Sequence, residues 1–174
     1  SNDKLAKLIE TARKAPTGRN AQDVNWMVIC NRDEVFKMSS MVIDYYRSVM
    51  ESGASGVNLN PHLGKLIKEW ESGIDVILHK TPALIITHAQ KGNHLSFVNC
   101  IIAMSNLELA AAGMGLGCCW AGFFMAAAAG YEPMKEFLSL PEGHECCGAM
   151  MTGYPRFRYH RIPPRKQPVI TWRM

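Results

Sequence analysis

The sequence predicts one domain of the α/β or α+β sandwich class, in which helices pack on a sheet. Segments with apolar residues three and four positions apart alternate with short, continuous apolar runs, as amphipathic helices and buried strands do. The 174 residues are enough for one hydrophobic core, and 48% hydrophobic with 20% charged residues is a globular composition. We therefore expect a single domain over residues 1–174.

Helices and strands alternate in the first half of the chain. Apolar residues at helical spacing predict a helix over Asp3–Lys14, which Pro16 ends because the residue before a proline avoids the α-helical region. A short apolar run predicts a strand over Asn25–Cys30, and helical periodicity predicts a helix over Arg32–Val49. The uninterrupted run Ala83–Ala89 is typical of a central strand buried on both faces.

The segment before that central strand is less regular. Glu51–Leu63 is rich in glycine, serine and asparagine and is expected to form an exposed, mobile loop. Leu63–Trp70 is amphipathic, which predicts a short helix. Ile74–Leu78 is apolar and fits a helix or a strand equally well.

The second half contains the longest predicted helix and a glycine-rich stretch. Leu95–Gly113 is apolar nearly all round, so it belongs in the middle of the core or at an interface between subunits. Three glycines at alternate positions from Gly113 to Gly117 cannot continue that helix, so the chain turns there. The remaining predicted elements are a buried strand, two short helices, another apolar strand and an edge strand that reaches away from the body: Cys118–Ala121, Phe124–Ala129, Pro133–Leu138, His144–Gly153 and Val169–Trp172.

A polar loop after the first helix is the first candidate binding element. Within Ala15–Gln22, the side chains of Thr17, Asn20 and Gln22 can present amide and hydroxyl groups to the polar edge of a ligand from a helix–strand junction. The same residues would also serve a loop that only caps the helix and turns the chain.

The glycine-flanked strand over Cys118–Ala121 is the second candidate. Gly122 follows it directly, and a residue without a Cβ lets the backbone approach a flat ligand closely. The alternative is that these glycines serve only a tight helix-to-strand connection, since glycine spacing alone is weak evidence for a site.

Reactive side chains are sparse. No pair of carboxylates has a catalytic arrangement, and the histidines His62, His88, His94 and His160 are interpreted as ordinary polar or surface residues. There is no Gly-x-Ser-x-Gly nucleophile motif and no phosphate-binding loop. The six cysteines fit neither a zinc site nor an iron–sulfur cluster, so we assign no metal. The adjacent pairs Cys118-Cys119 and Cys146-Cys147 lie in apolar segments and are expected to be buried thiols in a reducing compartment. Such a chain is expected to leave any chemistry to a bound cofactor.

Charge and hydropathy limit the partners. The net charge of +4 is modest, and the basic residues concentrate near the C-terminus. A solvated surface, a phosphate-bearing ligand and nucleic acid are the three interpretations of this cluster, and its interleaved prolines argue against a DNA-reading helix. No apolar run reaches the roughly 20 residues that span a bilayer, and the N-terminus shows no signal peptide. We expect a cytoplasmic protein without nucleic-acid or membrane partners.

Three motifs taken together resemble the FMN-dependent nitroreductase family. They are Ala15-Pro16-Thr17-x-x-Asn20-x-Gln22 after the first helix, Gly113-x-Gly115-Leu116-Gly117-x-x-Trp120-x-Gly122, and Gly153-Tyr154-Pro155 followed by Arg161-x-Pro163-Pro164-Arg165-Lys166. Their order and spacing cover nearly the whole chain, although each motif alone is weak. The last motif is most similar to the branch whose members often carry an N-terminal ferredoxin-like domain.

The resemblance implies an architecture and a set of cofactor contacts. It implies an α+β fold with a central, mainly antiparallel sheet flanked by helices, in an intertwined homodimer that holds FMN in two interface clefts. The C-terminal tail 156–174 would extend over the partner subunit. In the implied cleft, the loop offers polar contacts, the amides of Ala121 and Gly122 face the isoalloxazine ring near N5, and basic residues neutralise the phosphate. The implied cofactor-binding residues are Pro16, Thr17, Asn20, Gln22, Cys119, Trp120, Ala121, Gly122, Arg165 and Lys166.

The resemblance also implies an activity and leaves one alternative. In it, NAD(P)H reduces FMN, which then reduces a flat acceptor such as a nitroaromatic or a quinone by a ping-pong mechanism, and a ferredoxin-like domain or protein is a further partner. The family's Arg-Arg-Ser-type segment, which grips the phosphate before the first helix, is missing from this sequence. We expect either that the segment lies upstream or that FMN binding is weakened. The alternative function is a non-catalytic or degenerate flavin-binding dimeric module.

Overall fold

A four-stranded antiparallel sheet forms the centre of the protein, as a computed structural model of the chain describes it for residues 1–52, 61–157 and 160–174. The strands are β1 (Asn25–Ile29), β2 (Ala83–Gln90), β3 (Gly117–Trp120) and β4 (His144–Gly153), in the spatial order β1-β2-β4-β3. All three neighbouring pairs are antiparallel. The two central strands are the long apolar runs of the sequence, because only they are covered on both faces.

In the described ranges, six helices cover the two faces of this sheet: α1 (Asn2–Ala12), α2 (Arg32–Glu51), α3 (Pro61–Glu71), α4 (His94–Gly113), α5 (Gly122–Gly130) and α6 (Glu132–Leu138). On one face, α1 and α4 pack around Met104, Leu107 and Met150. On the other face, α2, α5 and α6 pack around Met38 and Phe124. The α+β fold expected from the sequence is confirmed, with helices on both faces of an antiparallel sheet.

Side-chain caps begin the two longest helices. The Asn31 carboxamide oxygen accepts hydrogen bonds from the amides of Asp33 and Glu34, and the Asn93 oxygen does the same for Leu95 and Ser96. At the other end of α4 the chain turns through Gly115, whose φ of +69° favours glycine. The predicted turn between Gly113 and Gly117 is therefore confirmed.

Helix α4 is the central helix of the fold. By length and apolar composition it could cross a bilayer, so the expectation that no run is long enough for this is wrong. Its inner side nevertheless packs against β2, β4 and α1, which is the behaviour of a core helix. A stripe of apolar side chains on its outer side stays accessible, and these residues are Leu95, Val98, Ile102 and Leu109.

Several predicted boundaries are corrected. Helix α3 begins at Pro61 rather than Leu63, α5 begins at Gly122 rather than Phe124, and β3 spans Gly117–Trp120. Of the loop predicted over Glu51–Leu63, positions 53–60 lie outside the described residues, while Glu51 belongs to α2 and the last three positions to α3.

The apolar segment Ile74–Leu78 is neither a helix nor a strand. The buried carboxylate of Asp75 accepts hydrogen bonds from the amides of Ile77 (3.0 Å), Leu78 (3.1 Å) and Lys80 (2.8 Å). These amides are satisfied by a side chain, so the backbone has no need of a ladder or a helical turn there. Both alternatives for this segment are therefore wrong.

The C-terminal tail is extended and exposed. Residues 160–174 form no helix or strand, and Val169 is 98% exposed. The predicted edge strand over Val169–Trp172 is therefore wrong for the single chain, because a strand needs a hydrogen-bonded neighbour and the described chain places none beside it.

The cysteines are only partly buried. All six are free thiols. Of the two adjacent pairs that were expected to be buried, Cys147 is buried, Cys118 and Cys146 are partly buried, and Cys119 is exposed, against the expectation. Burial raises the pKa of the half-buried Cys146 thiol to about 12, so that thiol stays protonated and unreactive at neutral pH.

Candidate functional site

The polar loop between α1 and β1 holds an unusual backbone conformation. Three residues, Arg19, Asn20 and Gln22, have φ values of +56°, +52° and +51°. Each such non-glycine residue costs on the order of 1–3 kcal/mol and persists only where surrounding contacts impose it. A loop that merely connects a helix to a strand does not require this.

Hydrogen bonds within the loop fix the side chains that the sequence singled out. The Gln22 amide donates to Thr17 Oγ1 at 3.0 Å, and Gln22 Nε2 donates to Asn20 Oδ1 at 3.3 Å. Donors on Asn20 Nδ2 and the Thr17 hydroxyl, and an acceptor on Gln22 Oε1, remain available to a ligand. Pro16 and Asn20 lie exposed on the same loop.

A buried polar network ties the loop to helix α4. The Gly18 amide donates to Asn99 Oδ1 at 2.9 Å, and Asn99 Nδ2 donates to Asp23 Oδ1 at 2.8 Å. The Ser96 hydroxyl donates to the other oxygen of Asp23. Hydrogen bonds from Ser96, and then from Asn99, hold the pKa of the Asp23 carboxyl below its ordinary value. Asn99 is only 1% exposed, so it positions the loop from within the core.

Sequence reasoning missed this anchor. The available signal was the pair Ser96 and Asn99, two polar residues three positions apart in the first half of a mostly apolar helix. Polar residues on the inner side of such a helix need hydrogen-bond partners, and the loop supplies them.

The second candidate element is the junction between β3 and α5. The Ala121 amide donates to the Ala149 carbonyl at 2.9 Å, so the expectation that this amide faces a ligand is wrong. The Gly122 amide begins helix α5 and has no acceptor among the residues that the structure describes. No heavy atom lies within 4 Å of the position that a Cβ of Gly122 would take. Gly122 is therefore an exposed residue with an unpaired amide and with open space on the side where a side chain would stand.

Trp120 and Cys119 point to different sides of β3. Trp120 is half-buried and packs with Met104 and Met150 on the α4 side of the sheet. Its ring also lies over Gly148, where an added Cβ would be 3.6 Å from Trp120 Cζ3. Trp120 therefore supports the strand from within the α4 side, while Cys119 is exposed.

The loop and the β3–α5 junction lie at the same end of the sheet, on opposite edges. At one edge, the first residue of β1, Asn25, pairs with His88 near the end of β2. At the other edge, the Ala121 amide bonds to Ala149 of β4, and Ala149 pairs with Ile86, only two positions before His88 on β2. The order β1-β2-β4-β3 separates the two edges by three strand spacings, or about 14 Å. Within one chain, the polar loop and the β3–α5 junction therefore lie at opposite edges of the sheet rather than next to each other.

The basic residues expected to bind phosphate have no bonded partner in the part of the chain that the structure describes. Arg165 and Lys166 lie in the exposed tail and make no hydrogen bond or ion pair with any described residue. Among the described residues there is also no cluster of three side chains that could ligate a metal ion.

Comparison with known proteins decides the family. Residues 1–154 of this chain match the sequence profile of the family described as "Nitroreductase family". The chain belongs to the nitroreductase family. No curated protein sequence is significantly similar to it.

Solved structures of nitroreductases share this fold at low sequence identity. A nitroreductase with bound FMN from Bacteroides fragilis superposes with a TM-score of 0.78 at 19% identity, covering 98% of this chain and 87% of the other. A nitroreductase with bound FMN from Desulfitobacterium hafniense gives 0.73 at 20% identity, covering 95% and 84%. The NADPH:FMN oxidoreductase of Vibrio harveyi, in complex with NAD⁺, gives 0.64 at 16% identity, covering 95% and 64%.

Proposed function

We propose that this nitroreductase-family chain is an FMN-dependent oxidoreductase that uses NAD(P)H to reduce a flat acceptor, such as a nitroaromatic or a quinone, in ping-pong order. One observation carries the proposal: Gly122, with an unpaired amide and open space where a Cβ would stand, lies at the sheet end that also holds the strained polar loop. The bound FMN of the Bacteroides and Desulfitobacterium nitroreductases, and the NAD⁺ of the Vibrio oxidoreductase, support it.

The residues present fit a flavin. The Gly122 amide would donate to the ring, and the missing Cβ lets a planar group lie against the backbone. Thr17, Asn20 and Gln22 would contact the polar edge of the ring, with Pro16 beside them. Cys119, Trp120 and Ala121 shape the strand that precedes Gly122. The chemistry that FMN supplies when bound is hydride acceptance and donation, so the protein contributes binding and orientation.

A second copy of the chain completes each cleft in this proposal. The loop and Gly122 lie beside opposite edge strands, which ideal strand spacing separates by about 14 Å, so in this proposal one ring does not stack against both within one chain. The accessible apolar stripe on α4 supplies a surface for a partner, and the exposed tail 160–174 is free to extend over it. Arg165 and Lys166 would then reach an FMN phosphate through this assembly.

Titration with FMN tests the proposed function. We expect the purified protein to be yellow or to become so with FMN, and to oxidise NADH or NADPH when a quinone or nitroaromatic is added. Tight FMN binding without turnover would identify the non-catalytic flavin module instead. A folded protein that stays colourless at saturating FMN would contradict both functions.

Arg165→Ala tests the phosphate contact. A charged hydrogen bond is worth roughly 1.5–3 kcal/mol, so we expect the FMN dissociation constant to rise about 10- to 100-fold. Fluorescence titration of the flavin measures it. Arg173→Ala, in the same exposed tail, is the matched control and should leave the constant unchanged. Equal constants for the Arg165 variant and the parent protein would remove Arg165 from the site.

Leu109→Glu tests the dimer. Leu109 is 74% exposed in the single chain, and burying it in a partner would contribute about 1.5–3 kcal/mol. In a symmetric interface each variant chain adds a charge, so two charges face the interface of one dimer. We expect the variant to be monomeric at micromolar protein concentrations, as measured by sedimentation velocity. Ile74→Glu is the control, since Ile74 is also exposed but lies off α4. If both variants and the parent sediment alike, α4 is not the interface.

A further inference from the structure

Two histidines that the proposed function does not use are in direct contact. His88 Nδ1 lies 3.0 Å from His144 Nδ1, and the ring centroids are 5.2 Å apart. His88, on β2, is only 7% exposed, whereas His144, the first residue of β4, is half-buried. His88 was expected to be an ordinary polar or surface residue, and its burial against a second histidine corrects that interpretation.

An irregularity in the sheet brings the two rings together. The register between β2 and β4 shifts after Thr87, which pairs with Gly148, so that His88 pairs with Cys146 and one residue of β4 is extra. Beyond this β-bulge, His144 is the diagonal neighbour of His88 on the same face, within reach of a long side chain. A bulge re-aims side chains, and here it places two imidazoles in contact at the end of the sheet.

The geometry suits a shared proton. Two Nδ1 atoms at 3.0 Å form a hydrogen bond only if one of them carries a hydrogen and the other accepts it. The donor ring can be neutral or positively charged, but the acceptor ring must be neutral. When both rings are protonated, each Nδ1 carries a hydrogen, neither can accept, and two positive charges face each other. No third ligand completes a metal site around the pair in the described ranges.

The surroundings of the pair combine a cavity whose charged lining residues are mostly acidic on the His144 side with burial on the His88 side. His144 lines a cavity of about 540 Å³ together with four carboxylates and two lysines, so the cavity carries net negative charge: Glu132, Glu136, Glu142, Glu145, Lys91 and Lys135. Lys135 is already paired with Glu132 at 3.0 Å. From the neighbouring strands His88 meets Asn25, which is neutral, and Cys146, whose thiol stays protonated. Burial holds His88 away from water, which opposes a charge on its ring.

We propose that His88 and His144 form an acid-opened latch: one shared proton keeps the ends of β2 and β4 closed, and protonation of both rings releases His144 into the cavity. Just beyond the pair, the Lys91 amide after β2 donates to the Gly143 carbonyl before β4 at 2.7 Å, and this hydrogen bond loosens when the latch opens. The latch belongs to the single chain and does not depend on the proposed flavin.

The direction of the pH effect follows from the titration of His88. Desolvation, and then the charge of His144, hold the pKa of His88 below its ordinary value of 6.5. The unfolded chain therefore binds this proton more readily than the folded one, so the contribution to stability is complete above about pH 6.5 and is lost as the pH falls below it.

Imidazole titration and amide exchange test the latch in the intact chain. In NMR spectra we expect His88 and His144 to titrate in two coupled steps separated by about one pH unit or more. We also expect protection of the Lys91 amide to fall about tenfold or more between pH 7 and pH 5, after correction for intrinsic exchange, with no such change in the β1–β2 ladder.

Variants separate the latch from general acid sensitivity. His144→Asn, at the more accessible position, should remove the coupling and flatten the pH dependence of Lys91 protection, and His88→Asn should do the same if it folds. His160→Asn, in the exposed tail, should behave as the parent. Independent single-site titrations in the parent, or Lys91 protection that changes equally in His144→Asn, would overturn the proposal.

Discussion

Replacing Gly122 by valine is expected to weaken FMN binding at least about 100-fold, which corresponds to about 2.7 kcal/mol. The proposed ring lies against the bare backbone of Gly122, and a branched side chain would stand where the ring should be. The fold should tolerate the change, because nothing lies within 4 Å of the added Cβ and the backbone there is not left-handed. Flavin titration measures the affinity, and thermal unfolding of the flavin-free protein measures the stability.

Gly113→Ala is the matched control for this experiment. Gly113 ends α4, and a Cβ there also meets open space, yet it takes no part in the proposed cleft. We expect its FMN affinity to equal that of the parent. Full affinity in the Gly122 variant would show that the ring lies elsewhere, even if the protein remains yellow.

Asn99→Leu is expected to lower the free energy of unfolding by about 3 kcal/mol. The substitution keeps the volume of the side chain but removes its hydrogen bonds to the Gly18 amide and to the Asp23 carboxylate, the latter charge-assisted. The strained residues of the loop would then relax, since Asn99 is one of the contacts that impose their conformation. We expect the FMN dissociation constant to rise about tenfold or more. Urea unfolding and flavin titration measure the two effects.

The same variant should change the acid sensitivity of the protein. The depressed pKa of Asp23 means that its carboxylate stabilises the fold above its ordinary pKa of about 4, and that this contribution is lost as the pH falls through the folded value. In Asn99→Leu, less stability should be lost on acidification, because the Asp23 carboxylate has lost one of its donors. The hydrogen bond from Ser96 preserves the rest of the effect. Asn106→Leu, on the same helix, is the control for the change of residue type. A Gly18–Gln22 loop that binds FMN normally without Asn99 would show that the anchor is dispensable.

Most of the fold was predictable because it rests on local patterns. The apolar run of β2, the helical periodicity of α2 and the turn at Gly115 each depend on neighbouring residues alone, and the structure confirms them. The exact bounds of β4, His144–Gly153, were also predicted. Ile74–Leu78 was not, since the outcome depends on one buried carboxylate, Asp75, that competes with regular structure.

The candidate site was predictable as motifs but not as geometry. Motif spacing named Thr17, Asn20, Gln22 and Gly122, and their contacts to FMN stay predictions. Motif spacing could not show that the Ala121 amide donates to the Ala149 carbonyl, because this hydrogen bond joins residues 28 positions apart and depends on the pairing of β3 with β4. For the same reason it missed the partnership of Asp23 with Asn99, since a helix and a loop far apart in sequence meet only after folding.

The sequence alone determined the class of fold, the order of its elements and the membership of a family whose motifs run along the chain, because periodicity and turn chemistry are encoded locally. Only the tertiary structure decided which amides are free, which polar side chains anchor the loop, and that two histidines 56 residues apart share a contact. These outcomes depend on sheet order and register, which arise from packing the whole chain at once rather than from any one segment.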